Sequence, residues 1–169
     1  MINYKGKVPK YIKPLLDSFI SYCNSILGIS DGVNLDIIFR KVPKNQIGFV
    51  NFSKIINGKN EITIDSEMGY VAMLYTLAHE LIHIKQIKGG ELSVAGGFFY
   101  WKSRVNISVP EYNKISRNYD FDKYSKLEWE KEAYENMHSI PKQFKSSNVY
   151  SDLVQQAVEP NLKFILSLI

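Results

Sequence analysis

His79-Glu80-Leu81-Ile82-His83 places two imidazoles four residues apart, with a carboxylate beside the first. On a helix, residues four apart stand one turn above each other, so both rings reach a single metal ion. Zinc bonds imidazole nitrogen at about 2.0–2.1 Å, which two such histidines meet without straining the backbone. Glu80 leaves the helix about 100° from His79, so it can face a water at the metal without ligating the metal itself. Zinc lowers the pKa of that water, and the carboxylate takes its proton as it attacks a carbonyl carbon, then passes it to the departing amine. Two of the chain's three histidines fall in this motif. Buried imidazoles need partners, because an unsatisfied polar group costs about 1–3 kcal/mol. Zinc is the favoured partner here; two core histidines held by hydrogen bonds are the bland alternative.

A catalytic zinc takes a third protein ligand and keeps one position open. A histidine six residues after His83, with glycine at 86, is ruled out because Gln86 and Gly89 stand there. His138 is the only spare histidine. The better source is Leu127-Glu128-Trp129-Glu130-Lys131-Glu132-Ala133-Tyr134-Glu135. Glu128, Glu132 and Glu135 share one helical face by their spacing, and Glu130 points elsewhere. Ala133 is small enough to let this helix pack closely on the motif helix. Glu132 is the expected third ligand, with Glu128 in reserve. Gln86 is either a hydrogen-bond partner for a ligand or substrate or a plain polar residue near a helix end. Asn136, one turn after Glu132, is placed to orient His79 or His83. Tyr100, Arg104, Tyr119 and Tyr134 stand open as stabilisers of an oxyanion.

The elements that must position these groups are readable from periodicity. Leu15, Leu16, Phe19, Ile20, Tyr22, Cys23 and Ile26 predict an amphipathic helix over 14–27, stopped by Gly28. Asp31-Gly32 reads as a turn. Val33, Leu35, Ile37 and Phe39 alternate as a strand, a second strand is expected over 47–52, and Asn57-Gly58 predicts a hairpin into a third over 61–65. From 70 to 88 the apolar residues surround the helix that carries the motif, which predicts burial. Residues 91–109 read as irregular strand and loop, and 110–125 as polar turns. Helices are expected over 126–137 and 151–158. The whole reads as one α+β domain over 1–169: a first helix on a small mixed or antiparallel sheet, the motif helix beneath it, and a later helix with the third ligand.

The 169 residues are 45% hydrophobic and 22% charged, which excludes a wholly disordered chain. No apolar run is long enough to span a membrane. The N-terminus lacks the apolar core of a secretory signal, and one cysteine, Cys23, cannot close an internal disulfide. A cytoplasmic setting is expected. The net charge of +4 rests mostly on dispersed lysines, so a solvated surface is favoured over nucleic-acid binding. Oligomeric state has no signature in the sequence.

The motif followed about fifty residues later by a helix with Glu-Ala resembles the gluzincin branch of the zincin metallopeptidases. More narrowly, it is similar to small single-domain phage-type, SprT-like or ImmA-like peptidases. The phage-type helix reads HELxHxxQ, followed by Gly-Glu-Leu, Tyr-Trp-Lys and Pro-Trp-Glu-x-Glu-Ala-Tyr. Here His79 to Gln86, Gly90-Glu91-Leu92, Tyr100-Trp101-Lys102 and Glu128 to Tyr134 match, with Glu128 in place of proline. The likeness spans about 70–136. It implies one zinc held by His79, His83 and Glu132, Glu80 as catalytic base, and a protein or peptide substrate. It also implies a strand bordering the cleft, most plausibly over 61–65, on which an extended peptide pairs. If phage-encoded, the chain would act in the host cytoplasm. Three rivals fit the same residues: a SprT-like protease acting on DNA-bound proteins, a zinc-stabilised regulatory or binding protein without turnover, and a cell-wall amidase.

Overall fold

The structure is a computed structural model and describes residues 1–29, 34–43, 47–118 and 120–169. It is a mixed α and β fold with two small sheets. The first sheet is built from β1 (Ile2–Gly6), β2 (Leu35–Arg40), β3 (Gly48–Val50) and β4 (Asn60–Asp65), in the order β1-β2-β4-β3. β1, β2 and β4 run parallel and β3 runs antiparallel to β4, so the sheet is mixed. The first strand is absent from the sequence expectation because Ile2-Asn3-Tyr4-Lys5-Gly6 offers only two apolar side chains, and these are half-buried at a sheet edge.

Alternation in β2 places Leu35, Ile37 and Phe39 on one buried face. That face packs on α1 (Lys13–Leu27) and α3 (Tyr70–Lys88). α1 contributes Leu15, Leu16, Phe19, Ile20 and Cys23, and ends with Gly28 in the left-handed conformation. α3 has the expected bounds, and its apolar circumference is covered on several sides: by the sheet, by α1 and by the C-terminal helices. Those against α3 are α6 (Glu128–Met137) and α7 (Ser139–Lys145), while α8 (Asn148–Gln156) packs on α1 and α7, and α9 (Pro160–Leu168) on the turn at Lys10–Ile12. α8 starts three residues earlier than expected, where Ser147 caps it. No helix among the described residues is long and apolar enough to cross a membrane.

Asn57-Gly58 does not make a two-residue hairpin. The link from β3 to β4 is the short helix α2 (Phe52–Ile56), and Gly58, at φ +79°, ends it through amide bonds from Gly58 to Ile55 and from Lys59 to Lys54. The turn at Asp31-Gly32 and the start of its strand at Val33 lie outside the described residues.

Residues 92–108 form an antiparallel meander, β5 (Leu92–Ala95), β6 (Phe98–Trp101) and β7 (Arg104–Ser108), not irregular chain. Each turn has two residues, both at positive φ: Gly96-Gly97 and Lys102-Ser103. That is the handedness a tight hairpin takes from the twist of its strands. The expected turns over 110–125 are instead α4 (Val109–Arg117), capped by Ser108, and α5 (Phe121–Tyr124), capped by Asp120. Leu92, Phe99, Trp101, Ile107, Ile115, Leu127 and Trp129 make a second core between this layer and α6.

Candidate metal centre and adjoining cavity

α6 lies along α3, and Ala133 provides the close contact between them. The residues α6 buries are Trp129, Glu130 and Ala133, all fully enclosed. Glu130 therefore enters the space above His79 and His83. Its Oε2 lies 3.2 Å from Nε2 of His79 and 3.3 Å from Nε2 of His83, and the two Nε2 atoms are 3.0 Å apart. The expectation that Glu132 joins the histidines is corrected: Glu132 leaves α6 on the other side and meets Lys85 at 3.5 Å and Lys102 at 3.3 Å. Glu128 is exposed in the first turn of α6, away from the cluster.

Three ligand atoms held tetrahedrally at zinc distances sit about 3.3 Å from one another. The separations of 3.0, 3.2 and 3.3 Å therefore fit one small cation bound by His79, His83 and Glu130. The hydrogen bonds around them leave the right atoms free. His83 Nδ1 donates to Gln86 Oε1 at 2.8 Å, which turns Nε2 toward the cluster. Gln86 is fully buried, and its Nε2 donates to the Trp129 carbonyl at 3.0 Å, tying α3 to the residue before Glu130. The Trp129 indole donates to Glu130 Oε1, and Glu130 Oε2 is buried without a hydrogen-bond partner. An unpaired buried carboxylate oxygen between two imidazoles is what a cation would satisfy.

The electrostatics agree with a tightly coupled set. Burial works against charge on His83, but the Glu130 and Glu80 carboxylates and the Gln86 hydrogen bond together outweigh it and raise the imidazole to about 9. Burial likewise opposes charge on Glu130, and the attraction of the two imidazoles more than reverses it, holding this carboxyl well below the usual range. Glu80 behaves in the opposite way. Its burial outweighs the attraction of His79 and His83, and its pKa is raised despite a hydrogen bond from the Val50 backbone amide.

Glu80, His79 and His83 open into a cavity of about 410 Å³, within the usual range for ligand pockets. β3 forms one wall because Gly48 lets it approach α3: a Cβ there would lie 2.5 Å from Thr76 Cγ2. β4, expected to border the cleft, is flanked by β2 and β3 and has no free edge. The edge strand at the cavity is β3, whose residues 47, 49 and 51 pair with β4. Gly48 and Val50 consequently direct their backbone groups outward.

Among the expected oxyanion groups, Tyr134 lines the cavity with its ring 4.7 Å from that of His79. Burial first, then the charges of Glu130 and Glu80, push its hydroxyl up to about 12, so it remains a donor at neutral pH. Tyr100 and Arg104 belong to the meander and do not line the cavity, and Tyr119 lies outside the described residues. Tyr112 and Tyr124 also line it, unanticipated because their segment reads as loop. Asn136 is exposed, donates to the Glu132 carbonyl and does not orient either histidine. His138 is exposed and packs on Tyr75. Cys23 is a core residue.

No family model, no curated protein and no solved structure matches the chain.

Proposed function

We propose that the chain is a zinc-dependent peptidase of zincin type, with His79, His83 and Glu130 as ligands and Glu80 as general base. The observation that carries this reading is the convergence of three ligand atoms within 3.3 Å beside a second carboxylate that opens into a cavity. A zinc ion there supplies a Lewis acid that acidifies water and polarises a carbonyl. Glu80 takes a proton from the water that attacks the scissile carbonyl and delivers it to the leaving nitrogen as the C–N bond breaks. The burial that raises its pKa makes it a stronger base toward that water. Tyr134 donates a hydrogen bond to the carbonyl oxygen as negative charge builds there. With the Val50 amide held by Glu80, the Gly48 amide and the Gly48 and Val50 carbonyls are the outward groups of β3 that offer hydrogen bonds to an extended peptide.

A purely structural metal site has no use for a buried, unligating carboxylate at the mouth of a cavity, so a regulatory protein without turnover is the weaker reading. Among the described residues no lysine or arginine lines the cavity, and an action on DNA-bound proteins draws no support from it. The test is a pair of measurements on wild type and Glu80→Gln. Both should carry about one zinc per chain, and the variant should hydrolyse a peptide library about 10²- to 10⁴-fold more slowly. Equal hydrolysis rates would remove Glu80 from the mechanism, and absence of zinc would remove the metal.

A further inference from the structure

We propose that the cavity beside Glu80 admits a large, uncharged apolar side chain adjoining the bond to be cut, so that the substrate is an apolar peptide segment. The inference rests on the peptidase reading and adds its substrate class. Apart from the histidines and Glu80, the cavity takes apolar wall from Ile47, Ile115, Phe121 and Met137, and its other side chains are uncharged, the polar ones among them being hydroxyls such as those of Ser116 and Tyr134. Thr76 spends its hydroxyl on the Ala72 carbonyl, leaving its methyl to the cavity side. Glu80 is the only carboxylate among the described lining residues, and no described lysine or arginine is there to meet an acidic side chain. A lysine side chain would find only Glu80, which the reaction itself engages. Either charged chain thus gives up its hydration without compensation. An aromatic or branched aliphatic chain gains instead: burying one is worth about ten- to a hundredfold in affinity.

The space does not end there. A second cavity of about 480 Å³ adjoins it, sharing Phe49, Val50, Phe52, Tyr112 and Ser116, and continues past Val94 and Phe99. The two hollows lie side by side along β3, an arrangement that suits a polypeptide better than a compact metabolite. The second chamber adds Val94, Phe99 and Val109 together with Asn51 and Asn113, so the chain neighbouring the anchored residue meets apolar surface and uncharged amides, and no charge.

The experiment measures binding, not turnover. Zinc-loaded protein is titrated with acetohydroxamate, which carries no side chain, and with the N-acetyl hydroxamates of Phe, Lys and Asp. The Phe compound is expected to bind about tenfold or more tighter than the Lys and Asp compounds. Equal affinities, or a preference for either charged compound, overturns the inference while acetohydroxamate binding leaves the metal centre standing. If neither zinc nor acetohydroxamate binds, the peptidase reading fails and takes this one with it. Met137→Lys, with Phe121→Lys on a separate, exposed part of the wall should the first not fold, is expected to cost the Phe compound about tenfold. Acetohydroxamate reports folding and metal in each variant, and an unchanged Phe affinity in both would show that the side chain lies elsewhere.

Discussion

Glu130 and Glu132 are two residues apart on the same helix and have opposite surroundings. Two steps of about 100° carry their side chains to nearly opposite sides of α6. Glu130 is fully enclosed with Trp129 and Ala133 and meets two imidazoles; Glu132 is partly exposed and meets two lysines. The contrast shows what selects a carboxylate for metal chemistry. The acidic face of a helix is its solvated face, and a ligand must leave from the apolar one.

The largest effect follows from breaking the buried member of the pair. Glu130→Ala removes one of three ligands, and zinc affinity should fall by more than the about 10–100-fold typical of losing a supporting residue. Elemental mass spectrometry on purified protein should find a stoichiometry near zero, against about one for wild type. A variant that kept its zinc would return the third ligand to another residue. The next effect is Gln86→Leu, which leaves the His83 Nδ1 hydrogen and the Trp129 carbonyl unpaired in a dry site. Zinc affinity should drop about 10–100-fold, and thermal unfolding of the metal-free protein should show a loss of about 1–3 kcal/mol. If Gln86 were merely a helix-end polar residue, neither quantity would move.

The same contrast explains what was legible beforehand. His79, Glu80 and His83 were readable because their geometry is internal to one helix, and the bounds of α3 follow from Gly69 and Gly89 at its ends. The proposed third ligand depends on how two helices pack, and spacing among the glutamates alone selected the face that lies outside the cluster. A signal was present: Trp129, Ala133 and Met137 recur every four residues, and Glu130 stands three before Ala133, on the stripe that must be buried. The first helix, β2 and β4 were readable from clean periods, whereas β3 is only three residues long and stops short of the expected 52, where Phe52 opens α2. The meander was not, because Lys102-Ser103 makes its second turn at positive φ without glycine or asparagine. α4 was missed because it is short and mostly polar, although Val109, Tyr112 and Ile115, spaced three apart, give it an apolar stripe that packs into the second core.

Acidity sharpens the comparison at an intermediate size of effect. In the metal-free protein the raised His83 holds a proton up to about pH 9, and a cation must displace it. Zinc affinity should therefore rise by about tenfold per pH unit toward pH 9 and level off above it. Stability of the metal-free chain runs the other way. A raised pKa contributes stability that is complete below the unfolded value of 6.5 and lost as pH rises through about 9. The lowered Glu130 contributes above its ordinary value of 4.5 and loses that as acid protonates it. The gain in melting temperature on adding zinc should accordingly be larger at pH 8.5 than at pH 6. A gain independent of pH would mean that the cation does not compete with the His83 proton.

The smallest effect belongs to the exposed member. Glu132 shares Lys85 with Glu91, so removing its charge leaves that lysine paired at 2.6 Å and frees only Lys102. Exposed pairs of this kind contribute about 0–1 kcal/mol, less at high salt. Glu132→Gln should hence unfold within about 1 kcal/mol of wild type and keep its full complement of zinc. The ion pairs do span α3, α6 and the β6–β7 turn, so a small change in zinc affinity could arise through the orientation of α6 alone. Salt separates the two causes. An effect carried by the ion pairs fades in concentrated salt, whereas a ligand lost from the metal stays lost. Zinc missing from Glu132→Gln at every salt concentration would therefore invert the assignment of the two faces, and Glu130 would become the spectator.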